Sequence, residues 1–390
     1  MNALTPDAGE ATLALAEDLI ARQSVTPDDN GCQSMIAQRL SAAGFHIHRL
    51  EFGDVSNLLA VHGDAGPSLM FLGHTDVVPP GPLEDWDSDP FEPSRRDGCL
   101  YGRGAADMKG AVAAMTVALE QLAPAMAGRP GRLMLLLTSD EEGPAQDGVR
   151  RVAPWLRDHG LVPDYCVVGE PSSVERLGDL VRIGRRGSLH GRLRVHGMQG
   201  HVAYPDKALN PIHALAPALA ELVALDWDDG VVENGVQVFP PTSFQVSNIN
   251  AGTGADNVIP GRLEALVNFR FCPASTPERL RHRVETILSR HGVDYTIGWR
   301  LSGEPFLTSP GRLREAVDSA VMSVCGIQPR ADTGGGTSDG RFIAPLGSEV
   351  VEVGLVNASI HKVNEHANLT DLRRLPQVYQ AIGQALLLTD

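Results

Sequence analysis

The chain has no excess of positive charge, no closely spaced cysteine pair and no apolar run near the roughly 20 residues that span a bilayer. Each absence removes a class of function. With 33 Lys and Arg against 48 Asp and Glu, the formal net charge of -15 argues against a nucleic-acid surface. The lack of a long apolar run argues against a membrane span. The five cysteines (Cys32, Cys99, Cys166, Cys272 and Cys325) are odd in number and form no CxxC pair. That points away from a disulfide frame or a structural zinc knot and toward reduced thiols serving as small hydrophobes. Residues 1–10 carry no basic region and no apolar signal core, so a cytoplasmic protein is expected. Internal repeats and low-complexity stretches are also missing. What is present is an ordinary globular composition, 43% apolar and 21% charged, in 390 residues. That length exceeds the usual single-core limit of about 250–300 residues, so two domains are expected.

Periodicity divides the chain in two. Helical apolar spacing over Thr12–Ala43, interrupted near Ser24–Gly31, precedes strand-like runs at Asn57–His62 and Ser68–Leu72. An Ala-rich helix is expected to start at Asp107 and run to Leu122. A strand at Arg132–Thr138, a helix near Gly148–His159 and a strand at Asp164–Val168 follow. Apolar strands alternating with helices predict a doubly wound, mostly parallel α/β sheet. After Arg186 the pattern changes. Leu189, Gly191, Leu193 and Val195 alternate with polar residues, which marks a strand with one wet face. A helix (Pro211–Leu225), strands (Thr242–Asn250 and the run through Leu263 and Phe269), a helix (Pro277–His291) and a strand (Tyr295–Trp299) complete a β-α-β-β-α-β order. That order is the ferredoxin-like α+β unit. From about residue 305 the first pattern resumes, with a helix at Gly311–Cys325, a strand at Val350–Val356 and a final helix from Asp371. The expected organisation is a discontinuous catalytic domain, 1–186 and 305–390, with an inserted domain at 187–304. The uncovered face and edge of the inserted sheet are candidate self-association surfaces.

Metal-ligand residue types recur where strands should end. His74 and Asp76 follow the run Leu69–Leu72. Glu141 and Glu142 follow Leu133–Leu137, Glu170 follows Cys166–Val168, and His361 follows Val350–Val356, while Asp107 follows no such run. Singly, each has a commonplace reading: a helix cap for Asp107, a solvated face for Glu141–Glu142. Together they do not, because open α/β sheets bind ligands at the carboxyl ends of strands. Clustered carboxylates there repel unless a cation compensates them. Two His with three or four carboxylates suit a pair of cations such as zinc.

The blocks Gly73-His74-Thr75-Asp76-Val77-Val78-Pro79, Tyr101-Gly102-Arg103-Gly104-Ala105-Ala106-Asp107-Met108-Lys109-Gly110 and Ser139-Asp140-Glu141-Glu142-Gly143 resemble the signature of the M20 co-catalytic zinc peptidases. Further blocks resemble the desuccinylases within that family. They are Val168–Ser173, Gly184–Ser188, Gly200–Pro205, Thr333–Phe342 and Ile360–Glu365. The resemblance runs from about Leu19 to the C-terminus. It implies two Zn²⁺ per chain, which Co²⁺ could replace. Asp107 would bridge them, with His74 and Glu170 completing one site and Glu142 and His361 the other. It implies Glu141 as general base, Asp76 as the group orienting His74, and a cis Asp107–Met108 peptide. It also implies a homodimer through the inserted domain, with His201 serving the neighbouring subunit's oxyanion. Substrate contacts are implied for Arg185, Tyr204, Asn257, Arg270, Gly336, Thr337 and Asn357. The implied reaction is hydrolysis of the amide of N-succinyl-LL-2,6-diaminopimelate, a small-molecule substrate whose succinyl carboxylate would need an Arg clamp. Arg182, by contrast, reads as a solvated cation. A deacylase for N-acetylornithine or another N-acyl amino acid, and a non-catalytic binding protein on the same fold, are the competing readings. The first would leave Arg185 and Arg270 without a purpose. The second would be expected to lose a ligand or the base.

Overall fold

The computed structural model describes residues 7–389 apart from Asn234. Two compact units emerge. The first runs to Gly184 and resumes over Leu307–Asp332 and from Ser338 onward; the second comprises Arg185–Phe306 and Thr333–Thr337. The glycine loop holding Gly336 and Thr337, expected in the first domain, thus groups with the second unit.

The first unit is built on an eight-stranded sheet. Its four central strands, in the order Arg132–Thr138, Ser68–His74, Tyr165–Val168 and Glu349–Glu352, are mutually parallel. Both flanks change direction. Val55–His62 is antiparallel to Arg132–Thr138, His46–Phe52 is antiparallel to Val55–His62, and Glu352 pairs antiparallel with Arg182. The expected doubly wound core is therefore present inside a mixed sheet. The Ser68–His74 strand, Ser-Leu-Met-Phe-Leu-Gly-His, is buried at every position. Such a continuous apolar run suits a strand covered on both faces. The Ala-rich helix Lys109–Leu122 packs with Ala8–Ile20 and Leu369–Leu387 on this unit. Small side chains let it lie close to its neighbours, and all but two of its residues are buried.

Three local expectations differ. The helix expected at Asp107 starts at Lys109, with Met108 at its N-cap in a non-helical conformation (φ -131°, ψ 32°); the Asp107–Met108 peptide is cis, as the resemblance implied. The strand expected at Val350–Val356 ends at Glu352, and Val353 and Leu355 are buried in the loop beyond it. Apolar periodicity reports burial, and burial continues past the last ladder bond. The edge strand His46–Phe52, unmarked by the sequence pattern, is half-exposed and His-rich.

The second unit carries a four-stranded antiparallel sheet in the order Ser243–Ala251, Arg262–Phe271, Gly187–His196, Tyr295–Gly303. Helices Pro211–Ala224 and Pro277–Arg290 supply its other elements, giving the β-α-β-β-α-β order. Strict alternation sends Leu189, Leu193, Val195, Leu263, Ala265, Val267 and Phe269 into one apolar core. A hairpin at Val231–Glu233 and Val236–Phe239 is an addition to the ferredoxin-like order. The cysteines are all free; Cys32, Cys166 and Cys272 are buried. Among the described residues no helix is long and apolar enough to cross a membrane.

Candidate metal centre

The parallel strands deliver their carboxyl ends to one edge of the first unit's sheet. His74 closes the Ser68–His74 strand, Glu141 and Glu142 lie just past Thr138, and Glu170 lies just past Val168. Asp107 comes from the loop before the Lys109–Leu122 helix. His361 is carried well beyond its strand, on a turn where it adopts the left-handed φ of 59°. Two groups of potential ligands form: His74, Asp107 and Glu170, and Asp107, Glu142 and His361. In each group the ligand atoms lie within 4.8 Å of one another.

Asp107 faces both groups with different oxygens. Its Oδ1 is 3.3 Å from His74 Nε2 and its Oδ2 is 3.3 Å from His361 Nε2. His74 Nε2 lies 3.8 Å from Glu170 Oε1, and His361 Nε2 lies 3.0 Å from Glu142 Oε1. The arrangement fits a pair of divalent cations: two neutral-capable imidazoles and three carboxylates offer nitrogen and oxygen donors. Electrostatics follow from this crowding. Although burial opposes it, Asp107, Asp76 and Glu170 hold the His74 imidazole well above its usual range. Hydrogen bonds to the Asp107 and Glu142 carboxylates push His361 up to about 10. Burial, with the Asp107 and Glu141 charges beside it, raises Glu170 well above the carboxylate range.

The supporting shell is as specific as the ligands. His74 Nδ1–H donates to the backbone carbonyl of Asp76 at 2.9 Å, whereas the Asp76 carboxylate lies 3.6 Å away. That carboxylate instead accepts from the backbone N–H of Glu142 at 3.1 Å and of Glu141 at 3.4 Å. Asp76 therefore orients the imidazole through its main chain and anchors the Glu141–Glu142 turn through its side chain. Glu141 stands outside both ligand groups. Burial, then the Asp339 charge, pushes its carboxyl up to about 8.

Sequence reasoning assigned no role to the residues that hold Asp107 in place. Glu365, fully buried, accepts from the backbone N–H groups of Gly104, Ala106 and Asp107, each at 3.0 Å, and from Arg103 Nη1 at 2.7 Å. Arg103 also lies over the Trp86 ring. Lys109 Nζ, buried too, donates to the carbonyls of Leu19 at 2.9 Å and Arg22 at 2.7 Å. The available signal was a charged residue among small ones, in Gly102-Arg103-Gly104-Ala105-Ala106. Gly104 adopts a φ of 86°, and a Cβ there would meet Val77 at 2.7 Å. Gly354 lets its chain approach the Glu170 carbonyl where a Cβ would stand 2.4 Å away.

Peptidase family M20/M25/M40 matches residues 70–385. The chain belongs to that family. A succinyl-diaminopimelate desuccinylase of Methylococcus capsulatus is 60% identical over 376 residues, covering 96% of this chain and 98% of the relative. An M20 family metallo-carboxypeptidase from Sulfolobus solfataricus has a similar fold (TM-score 0.81, 17% identity, 96% of this chain and 98% of that one). So does a Bacillus subtilis M20 peptidase described as dinuclear and metal-binding (TM-score 0.71, 16% identity, 98% and 99% coverage). The expected family and fold class are thus established, and the chain is a hydrolase of a metal-dependent family.

The remaining expected site residues fall into four settings. Asn357 belongs to the first unit, where its N–H donates to the Ser173 carbonyl at 2.9 Å. In the second unit, Arg185 is buried and donates to the carbonyls of Gly334 at 2.9 Å and Gly336 at 3.2 Å, while Thr337 is half-buried. His201, Tyr204 and Asn257 form an exposed group. The Gly200–His201 strand pairs with Val258–Ile259, Val202 N–H donates to the Asn257 carbonyl, and the His201 and Tyr204 rings are 5.9 Å apart. Arg270 is half-buried on the open face of the sheet, opposite Ser188 and Ser243.

Proposed function

We propose that this chain hydrolyses the amide of N-succinyl-LL-2,6-diaminopimelate to succinate and LL-2,6-diaminopimelate. The observation that carries this is the pair of ligand groups sharing Asp107, with Glu141 beside them and outside both, in a chain 60% identical to a desuccinylase. His74, Asp107 and Glu170 would hold one zinc ion, and Asp107, Glu142 and His361 a second. When bound, the ions supply Lewis-acid activation of water and polarisation of the amide carbonyl. Glu141 takes the proton of the attacking water and returns it to the leaving amine. The water oxygen bonds to the acyl carbon, the C–N bond breaks, and the proton neutralises the departing nitrogen. Asp76 holds the base and its neighbour in register through their backbone N–H groups.

Arg185 and Arg270 take the substrate carboxylates, with Tyr204, Asn257, Gly336, Thr337 and Asn357 as further contacts. Arg suits this role because its planar fork matches a carboxylate. The working form is a cytoplasmic homodimer joined through the second unit, in which His201 donates to the oxyanion across the interface. Exposed Met198, Val202, Leu209 and Ile212 on that unit support such a surface. The decisive experiment is kcat/KM of zinc-loaded protein on N-succinyl-diaminopimelate and on N-acetylornithine. A preference for the succinyl amide is expected. A preference for the acetyl substrate would transfer the chain to the deacylase reading.

A further inference from the structure

Glu141 and Glu142 are chemically identical neighbours on one turn, yet only one belongs to a ligand group. Their backbones do not discriminate, since both N–H groups point at the same Asp76 carboxylate. Their side chains meet different groups. Glu142 Oε1 is 3.0 Å from His361 Nε2, whereas Glu141 Oε1 is 4.0 Å from Arg341 Nη1. Arg341 is itself unusual. It is more than nine-tenths buried, and its Nε and Nη1 have no hydrogen-bond partner among the described residues. Its other carboxylate neighbour, Asp339, lies 3.7 Å from Nη2, and neither Asp339 oxygen accepts a hydrogen bond among the described residues. Burying a guanidinium and a carboxylate without closing hydrogen bonds is costly. The arrangement leaves a permanently charged guanidinium suspended between Asp339 and Glu141. Its place is set by the short helix Gly340–Ile343, whose Arg341 N–H donates to the Ser338 carbonyl at 3.2 Å. Ser338 in turn bonds to buried Glu352.

We propose that Arg341, held back by Asp339, is a positioning residue that keeps the Glu141 carboxylate off the metal-ligand set and leaves Glu142 in it. The inference rests on the reading of Glu141 as the general base. Attraction to a fixed cation on the far side restrains the Glu141 side chain from turning toward Asp107 and His361. Asp339 keeps the same cation from closing onto Glu141 as a full ion pair, which would occupy the oxygen that must take a proton. Without Arg341, Glu141 is free to act as an additional carboxylate ligand.

The test uses the whole protein, loaded with cobalt for spectroscopy and with zinc for kinetics, in wild type, Arg341→Gln and Arg341→Lys. Arg341→Gln should lose about 10- to 100-fold in kcat with KM little changed, the scale of a misplaced reacting group. Its cobalt visible spectrum should shift and weaken as a carboxylate joins the coordination shell. Competition titration of the metal-depleted variant should show tighter zinc binding. Arg341→Lys, which keeps the charge but not the fork, should recover part of both properties. The double variant Glu141→Gln/Arg341→Gln should be no slower than Glu141→Gln alone, since Arg341 acts through that side chain. Wild-type kcat in Arg341→Gln overturns the proposal. So does lost kcat with an unchanged cobalt spectrum and a double variant slower than Glu141→Gln. Should Arg341→Gln not fold, Asp339→Asn carries the test. It should lower kcat while leaving the spectrum as in wild type, and unchanged kcat overturns the idea. The spectra and titrations need no substrate, so a wrong acyl assignment would leave them intact.

Discussion

The metal edge of the first unit and the exposed group on the second unit solve opposite problems. At the metal edge His74, Asp76 and Asp107 are buried, and fixed donors restrain the carboxylates around them. Glu365 takes three backbone N–H groups and an Arg, Asp76 takes two N–H groups, and Asp140 takes those of Ala145, Gln146 and Asp147. On the second unit His201, on a two-stranded ribbon, and Tyr204 and Asn257 beside it are exposed to solvent. Ligands for small cations must be pre-placed, because repulsion among carboxylates has to be contained before any ion arrives. Groups that recognise an organic substrate, or a second copy of the chain, must stay accessible. Buried Arg185, tied to the glycine loop carbonyls, is the intermediate case.

If that contrast is right, perturbing the metal edge should cost the most. Glu141→Gln should lower kcat by about 10²–10⁴-fold with metal content retained. Glu142→Gln should lose metal instead, because its partner is His361. Metal analysis beside turnover separates the two, and equal metal loss in both would show that the pair is misassigned.

The next effect is on stability. Arg103→Met leaves the Glu365 charge without its buried partner, at a cost of about 3–5 kcal/mol. Denaturant unfolding of the variant should show a lowered midpoint and a first unit that binds zinc more weakly. A midpoint equal to wild type would mean that the backbone N–H groups alone suffice for Glu365.

Substitutions on the second unit should be gentler and selective. Arg270→Ala should reduce the preference for the succinyl over the acetyl substrate by about 10–100-fold, the worth of one charged hydrogen-bonded contact. The ratio of kcat/KM values measures this, and an unaltered ratio would remove Arg270 from the carboxylate clamp. The smallest signal is complementation. Mixing inactive His201→Ala chains with inactive Glu141→Gln chains should restore part of the activity, because one site of each mixed dimer is intact. Sedimentation of the same mixture checks the dimer, and a fully active monomer would refute it.

Much of the metal edge was legible beforehand because two signals coincide there. Buried parallel strands are written as continuous apolar runs, and the residue after such a run must sit at the sheet edge. His74, Glu142 and Glu170 were readable in that way. His361 was readable more loosely, from the apolar run Val350–Val356, although the strand itself ends at Glu352; Asp107 followed no run and entered on its residue type alone, its bridging role coming from the family resemblance. The ferredoxin-like unit was readable because one-sided burial writes a clean period-two alternation. The half-exposed strand His46–Phe52 and the reversed flanks of the sheet were not, because weak burial leaves a weak pattern.

By itself the sequence determined the composition class, the two-part organisation, the parallel core and the residue types of the metal edge. All of these follow from local burial and side-chain chemistry. Only the tertiary structure decided that Asp76 orients His74 through its carbonyl and grips the Glu141–Glu142 turn with its carboxylate. It also decided that Glu365 closes on Gly104, Ala106 and Asp107 from about 260 residues away along the chain, and that Arg341 rather than His361 faces Glu141. Those choices depend on which buried donor meets which acceptor across long sequence separations. That matching is settled by packing and hydrogen-bond satisfaction in three dimensions and leaves no periodic trace in one.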